Sequence, residues 1–388
     1  MHLVAAQPML RGSLVVLCAV ICVLGANLIG PRSYPGHIQQ HYQSRDTNNY
    51  FRMVTEGPGS VNAPFAYRIG APALVSILTQ NAELGFFILS TLMSVISIVA
   101  FYFLLIALQI SPQNALWAAV YYALSYPITM YIGAFGRVDP LANAILIVVL
   151  LCIARQRLTL ALLTLTIGVT VRETGLLLVP IVWLNLILDR RRSSFLHLFM
   201  YFALSLLPFV VYALILFLVT PAGSELASGG IITLMTRTLA EKGNIITSFL
   251  HSMWLTYGFF TPIFLVSYIG CFPRNRWFTY SVYLFIVGFS LCLIASDWER
   301  MLATGAPGLF IALAYVLASR TAQRWKVLWL VLTIVQLLLV FSVFSALSQL
   351  AKIGFLGVSG IVALLSVISG GLVLREILRA PSATTSKA

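Results

Sequence analysis

Long apolar runs alternate with short polar connections along most of this 388-residue chain. Each run is about 15–26 residues long, and a helix needs about 20 residues to cross a hydrocarbon core about 30 Å thick. The pattern predicts an all-α fold, a polytopic transmembrane helical bundle with about 10–13 crossings. We expect one transmembrane domain over residues 1–380, followed by a disordered polar tail at 381–388. The runs lie near residues 13–30, 82–108, 115–134, 139–154, 158–171, 174–188, 195–220, 248–271, 277–296, 301–319, 327–348 and 353–374.

Three consecutive runs, at 139–154, 158–171 and 174–188, are shorter than a full crossing requires. Short helices leave irregular backbone at membrane depth, and such backbone is tolerated only inside protein or beside a water-filled cavity. We therefore expect a cavity near these three helices.

Basic residues gather in alternate connections, which gives the orientation of the chain. One set of connections, near residues 11, 155–157, 189–192, 274–276, 320–326 and 375–387, holds 14 of the 24 basic residues but only two of the 11 acids. The positive-inside rule assigns this set, and with it both termini, to the cytoplasm. Two long loops, 31–81 and 221–247, are then extracytoplasmic.

The first long loop carries a helical pattern of its own. Residues 42–56 have the periodicity of an amphipathic helix, which Gly57 and Pro58 would end. The stretch from Arg68 to Leu78 predicts a second short helix suited to the membrane interface.

Composition excludes several other classes of protein. Only 9% of the residues are charged and 60% are hydrophobic, whereas a soluble domain has about 25% charged residues. The net charge of +13 is divided into short clusters between apolar runs, so we expect no nucleic-acid partner. The cysteines and histidines lack metal-ligand spacing, so no metal ligand is assigned, and nucleotide-binding, metalloprotease and nucleophile-elbow motifs are absent from the sequence.

Acidic residues with an arginine nearby stand at four places on the predicted extracytoplasmic edge. Ionised groups within a bilayer usually face a polar interior, although neighbouring Arg and Asp could also simply neutralise each other at the headgroup level. Arginine binds phosphate oxygens bidentately, and a carboxylate can act as a general base towards a hydroxyl. The combination favours a lipid-phosphate substrate. The places are Arg45-Asp46 with Tyr50, Arg137-Val-Asp139-Pro140, Arg172-Glu173 and Asp297-Trp-Glu299-Arg300.

With the first-loop segment Pro64-Phe-Ala-Tyr-Arg68, this arrangement resembles the GT-C superfamily of membrane glycosyltransferases, which use polyprenyl-phosphate sugars. The resemblance covers most of the chain as a pattern of helices and loops. The chain departs from several members because no second acid adjoins Asp46 and no soluble C-terminal domain is evident. These departures leave metal dependence and the class of acceptor open.

The resemblance implies an integral membrane glycosyltransferase that transfers a sugar, with inversion, from a lipid-linked donor to an extracytoplasmic acceptor glycan, lipid or protein. It makes Asp46 the catalytic base. No cofactor is assigned with certainty, a divalent cation being left open, and membrane lipid is the surrounding partner. The expected location is a bacterial inner membrane. The implied substrate-binding residues are Tyr50, Arg68, Arg137, Asp139, Arg172, Glu173, Asp297 and Arg300.

Two alternatives stay open at this point. Asp46 could instead cap a short helix that begins at Thr47, since Asp is a favoured N-cap residue. The chain could also be a transporter or flippase for a lipid-linked or anionic solute. A shared site requires that Asp46, Arg137, Arg172 and Arg300 converge.

Overall fold

A computed structural model describes most of the helical part of the chain. All regular structure in the described residues is helical, with no strand, which confirms the all-α prediction. The tail at 381–388 and most of the 221–247 loop lie outside the described residues. The described residues are 15–22, 45–125, 127–129, 136–188, 195–219, 236, 240, 244–258, 260–261, 276–293, 295, 297–318, 320–344, 364–365, 367–369, 371–373 and 375.

Most of the helices follow the predicted runs, although the helix within the run 115–134 ends at Ala123 and the helix within the run 248–271 ends at Tyr257. In chain order they are α1 (Arg45–Glu56), α2 (Gly70–Leu78), α3 (Ala82–Ala107), α4 (Pro112–Ala123), α5 (Asp139–Ala154), α6 (Leu158–Val171), α7 (Val179–Leu188), α8 (Phe195–Leu218), α9 (Ile245–Tyr257), α10 (Arg276–Cys292), α11 (Trp298–Ala303), α12 (Ala306–Val316) and α13 (Arg320–Phe344). Short 3-10 helices occupy Pro58–Ser60, Phe65–Tyr67 and Glu173–Leu178. The run predicted at 174–188 therefore starts as a 3-10 helix, and the run at 301–319 is divided into α11 and α12.

Two helices in the described part of the chain, α3 and α8, are long and apolar enough to cross a membrane. Their most apolar windows have mean hydropathies of 2.3 and 2.4. In α8 only 17% of that window is buried, and Phe195 and Phe217 are each 84% exposed. The larger number of crossings stays a prediction.

Contacts divide the chain into two compact units. Unit A consists of residues 19–108 and 130–228 and contains α1, α2, α3 and α5 to α8; unit B consists of residues 1–18, 109–129 and 229–388 and contains α4 and α9 to α13. The single domain expected over 1–380 stays a prediction.

In unit A, α5 packs between α3 and α6, and α6 also packs against α8. Helices α1 and α2 lie against the start of α3. Helix α1 is amphipathic as predicted: Thr47, Tyr50 and Met53 are buried, whereas Arg52 and Glu56 form an exposed ion pair at 3.1 Å. It ends where Gly57 takes a φ of +87°, a conformation that glycine adopts at little cost.

Helix α2 buries Ala71, Pro72 and Val75 but leaves Ile77 80% exposed. The two predicted helices of the first loop are thus confirmed as helices. Their placement at a membrane interface stays a prediction.

In unit B, α10 packs against α11 and α12, α12 packs against α4, and α9 packs against α11. Glycines allow close approach of the backbones. A Cβ at Gly308 would lie 2.8 Å from Ser281 Cα, and one at Gly288 would lie 2.9 Å from the Met301 carbonyl oxygen. Small residues at such crossings are typical of helices packed within membranes.

Candidate functional site

Arg68 joins two parts of unit A that are distant in sequence. Its Nε donates to Glu173 Oε2 at 2.8 Å, its Nη2 donates to Glu173 Oε1, and its Nη1 donates to the Tyr50 hydroxyl at 2.9 Å. Tyr50 is fully buried, and the Arg68 Cζ atom lies 5.5 Å from the Phe65 ring centroid. One guanidinium therefore ties α1 to the 3-10 helix that follows α6.

A second ion pair lies beside the first in the chain. Arg172 Nη1 donates to Asp139 Oδ1 at 2.5 Å, and the two side chains are 6% and 1% exposed. Asp139 begins α5, where the helix dipole favours a negative charge, and Pro140 suits the first turn. Arg172 has an extended backbone after α6. The pair joins the start of α5 to the end of α6.

Two glycines bring the surrounding backbone close. A Cβ at Gly70 would overlap the Thr170 hydroxyl, and one at Gly136 would overlap Thr47 Cγ2. Thr47 follows Asp46 in α1, and Gly136 precedes Arg137. The Gly136 contact therefore brings the chain around Asp46 against the chain around Arg137.

Adding a methyl group at Gly136 should push α1 away from the start of α5. We expect Gly136→Ala to lower the free energy of unfolding by about 1–3 kcal/mol, as overpacking usually does. Thr47→Ala removes the overlapping Cγ2, so the double variant Gly136→Ala/Thr47→Ala should recover most of this loss. Unfolding in mixed detergent measures both; an equally destabilised double variant would contradict the contact.

Asp46 lies in the first turn of α1 and is half-buried. The helix already includes Arg45 and so does not begin at Thr47, where the capping alternative placed its start, and a role of Asp46 at this helix end stays a prediction. A carboxylate in the first turn is still favoured by the helix dipole. Arg137 is also half-buried.

The ion pairs already engage the hydrogen-bond donors of Arg68 and the charge of Arg172. The three nitrogens of Arg68 each donate to Glu173 or Tyr50, and Arg172 is neutralised by Asp139. Burial alone would raise the pKa of Glu173, but the Arg68 guanidinium, together with Arg172 and a backbone hydrogen bond, outweighs burial, and the pKa of Glu173 is lowered. Arg68 and Arg172 thus hold the cluster together. Arg137 is the more exposed arginine of the three.

The remaining predicted residues lie in unit B. Arg300 Nη1 is 3.5 Å from Asp297 Oδ2, with side chains 7% and 38% exposed. Between them Glu299 accepts a hydrogen bond from Ser252 of α9 at 2.6 Å. Sequence reasoning missed Ser252, because a serine within an apolar run carries no distinctive pattern. It also missed the contact between Thr47 and Gly136.

The described part of unit A therefore brings together Tyr50, Arg68 and Glu173, and separately Asp139 and Arg172. Within the residues that the structure describes, no group of three His, Cys, Asp or Glu side chains is placed to hold a metal ion. No protein-family model matches this chain, and no curated protein matches it.

Proposed function

We propose that this chain is a multi-pass membrane glycosyltransferase of the GT-C kind. It transfers a sugar from a polyprenyl-phosphate donor to an acceptor hydroxyl on the extracytoplasmic side of a bacterial inner membrane. The observation that carries the proposal is the meeting of three segments in unit A: the first loop with Asp46 on α1, the start of α5 and the end of α6. Each brings charged residues to one end of the unit.

Contacts support the proposed alternation of crossings. Arg68 with Glu173, and Asp139 with Arg172, join segments that the positive-inside rule assigns to the outer side. Segments assigned to the inner side also meet. Asn185 Nδ2 lies 3.4 Å from Gln156 Oε1 in unit A, and Gln323 Nε2 lies 2.7 Å from Asn114 Oδ1 in unit B.

The surface of α8 also supports a membrane location. Exposed Phe and Leu side chains occur around this helix, and in water each would lose about 1.5–3 kcal/mol relative to burial. Contact with apolar lipid tails would remove this cost of exposure to water. A helix pairs most of its backbone polar groups internally, as a spanning segment requires, although Pro208 removes one such hydrogen bond from α8.

The proposed reaction needs one base and one stabilised leaving group. Asp46 takes the proton of the acceptor hydroxyl while the oxygen of that hydroxyl forms a bond to the anomeric carbon of the sugar. The bond from that carbon to the phosphate oxygen breaks on the opposite face, and the polyprenyl phosphate leaves with the bonding electrons. Arg137 neutralises the phosphate, and the ion pairs of Arg68 and Arg172 hold α1, α5 and α6 in place.

The distribution of charge favours an enzyme over a transporter. Helices α6 and α8 contain no Asp, Glu, Lys or Arg, and the acids of α3 and α5 lie in their first turns. An anion crossing unit A would find no charged partner within these helices. A transporter is expected to place such groups at depth.

The test is incubation of the purified full chain with polyprenyl-phosphate sugars and candidate acceptor glycans, with products identified by mass spectrometry. We expect donor consumption and a glycosylated product. Nucleotide sugars serve as the control donor and should not react. Movement of the donor across vesicles without cleavage would favour the transporter and reject the enzyme.

Replacing Arg137 should weaken use of the donor. A hydrogen bond to a charged group contributes about 1.5–3 kcal/mol, so Arg137→Met should lower kcat/KM about 10- to 100-fold. Arg52→Met is the matched control, because Arg52 is an exposed arginine on α1 whose ion pair with Glu56 lies at the surface. Equal losses in both variants would contradict a specific phosphate contact.

A further inference from the structure

Unit B contains a polar cluster at the inner-side ends of α4 and α13 that the proposed reaction does not use. Lys326 Nζ donates to Gln323 Oε1 at 3.0 Å and lies 5.5 Å from the Trp117 ring centroid. The Tyr121 hydroxyl donates to the Lys326 carbonyl oxygen. The cluster consists of Asn114, Trp117, Tyr121, Gln323 and Lys326.

The hydrogen bonds fix the orientation of both amides. Gln323 Nε2 donates to the Leu317 carbonyl oxygen at 2.5 Å, which can only accept, and to Asn114 Oδ1 at 2.7 Å. Gln323 must therefore present its oxygen to Lys326. Asn114 accepts through its oxygen, so its Nδ2 group remains a donor within this 8% exposed side chain.

Lys326 differs from the buried cations of unit A in the partners that it has. Arg68 and Arg172 each contact a carboxylate, whereas within the described part of the chain the ammonium of Lys326 contacts only an amide oxygen and an indole ring. A half-buried positive charge with neutral partners attracts an anion, and two of its three protons remain to be donated.

The chemistry of the donors indicates which anion fits. An ammonium group and an amide N–H group can both donate hydrogen bonds to the oxygens of a phosphate group. Basic pockets between helices on the cytoplasmic side bind anionic lipid headgroups. Trp117 is an aromatic residue of the kind found at the membrane interface. We propose that Lys326 and Asn114 form a site for a phosphate-bearing anion, supplied by an anionic lipid of the cytoplasmic leaflet. The proposal rests on the membrane orientation but not on glycosyl transfer.

The test measures phosphatidylglycerol retained by the full chain in mixed phosphatidylcholine micelles, using native mass spectrometry. Lys326→Met should weaken retention about fivefold, since one basic residue near an anionic surface contributes about 1 kcal/mol. Lys326→Arg, which keeps the charge, should retain most of the binding. Arg324→Met is the matched control, because Arg324 is exposed and lies two residues away on the same helix.

The outcomes separate a site from general surface charge. Loss in Lys326→Met with retention in Arg324→Met supports the site, and an additional loss in Asn114→Leu supports the amide contact. Equal losses in the Lys326 and Arg324 variants, or no loss in either, overturn it. If inorganic phosphate at matched concentration displaced the lipid, the site would still bind a phosphate group, but the lipid would be overturned as its ligand in favour of a soluble ion.

Discussion

Asp139→Leu is expected to lower the free energy of unfolding by about 3–5 kcal/mol, because it leaves the guanidinium of Arg172 buried without the carboxylate that neutralises it. Arg172→Met should cost a similar amount, since Asp139 is then a buried carboxylate lacking its cation. Both side chains are almost inaccessible, so water cannot solvate the charge that remains after its partner has been removed. Equilibrium unfolding of the purified chain in mixed detergent measures both losses.

The double variant Asp139→Leu/Arg172→Met distinguishes the interaction energy of the ion pair from the effect of each side chain on its other neighbours. Replacing a whole buried pair by apolar side chains is often neutral or stabilising, so most of the loss should be recovered. The control pair is Arg52 and Glu56, which is exposed on α1; breaking it should change stability by less than about 1 kcal/mol. Additive losses in the double variant would contradict a direct interaction.

The second large effect concerns catalysis. Asp46→Asn removes the proposed base but keeps the size of the side chain, so we expect kcat to fall about 100- to 10,000-fold. Glu56→Gln is the matched control, because it neutralises another acid on the same helix, at the exposed C-terminal end. Its kcat should stay within about twofold of wild type.

The two variants also test the alternative that α1 is merely disturbed. Asp46→Asn should unfold at nearly the same detergent fraction as wild type, whereas a damaged helix would lower stability together with kcat. Unchanged transfer by a folded Asp46→Asn protein would remove Asp46 from the reaction.

Sequence patterns were sufficient to predict the bounds of α5 and α6 in unit A. Charges and a proline mark the ends of the apolar runs, so the predicted 139–154 and 158–171 coincide with α5 and α6. The helix of the first loop was predicted by its apolar spacing and its Gly57 terminator. The capping alternative for Asp46 placed the start of this helix at Thr47, whereas the helix already includes Arg45.

The pairing of charges could not be predicted from neighbours in sequence. Arg137 stands near Asp139, and Arg172 stands beside Glu173. In the fold, however, Arg172 contacts Asp139, 33 residues away, and Arg68 contacts Glu173, 105 residues away. These partners depend on how helices pack, which one sequence does not reveal. Asp297 and Arg300, by contrast, do pair locally.

The pair between Asp139 and Arg172 has a consequence for how the chain is made. Synthesis proceeds from the N-terminus, so the ribosome adds the aspartate 33 residues before the arginine that neutralises it. Until α6 has been completed, the start of α5 carries an acid whose final counter-charge does not yet exist. The buried ion pair that joins the start of α5 to the end of α6 therefore forms only after the last residue of this hairpin has been added.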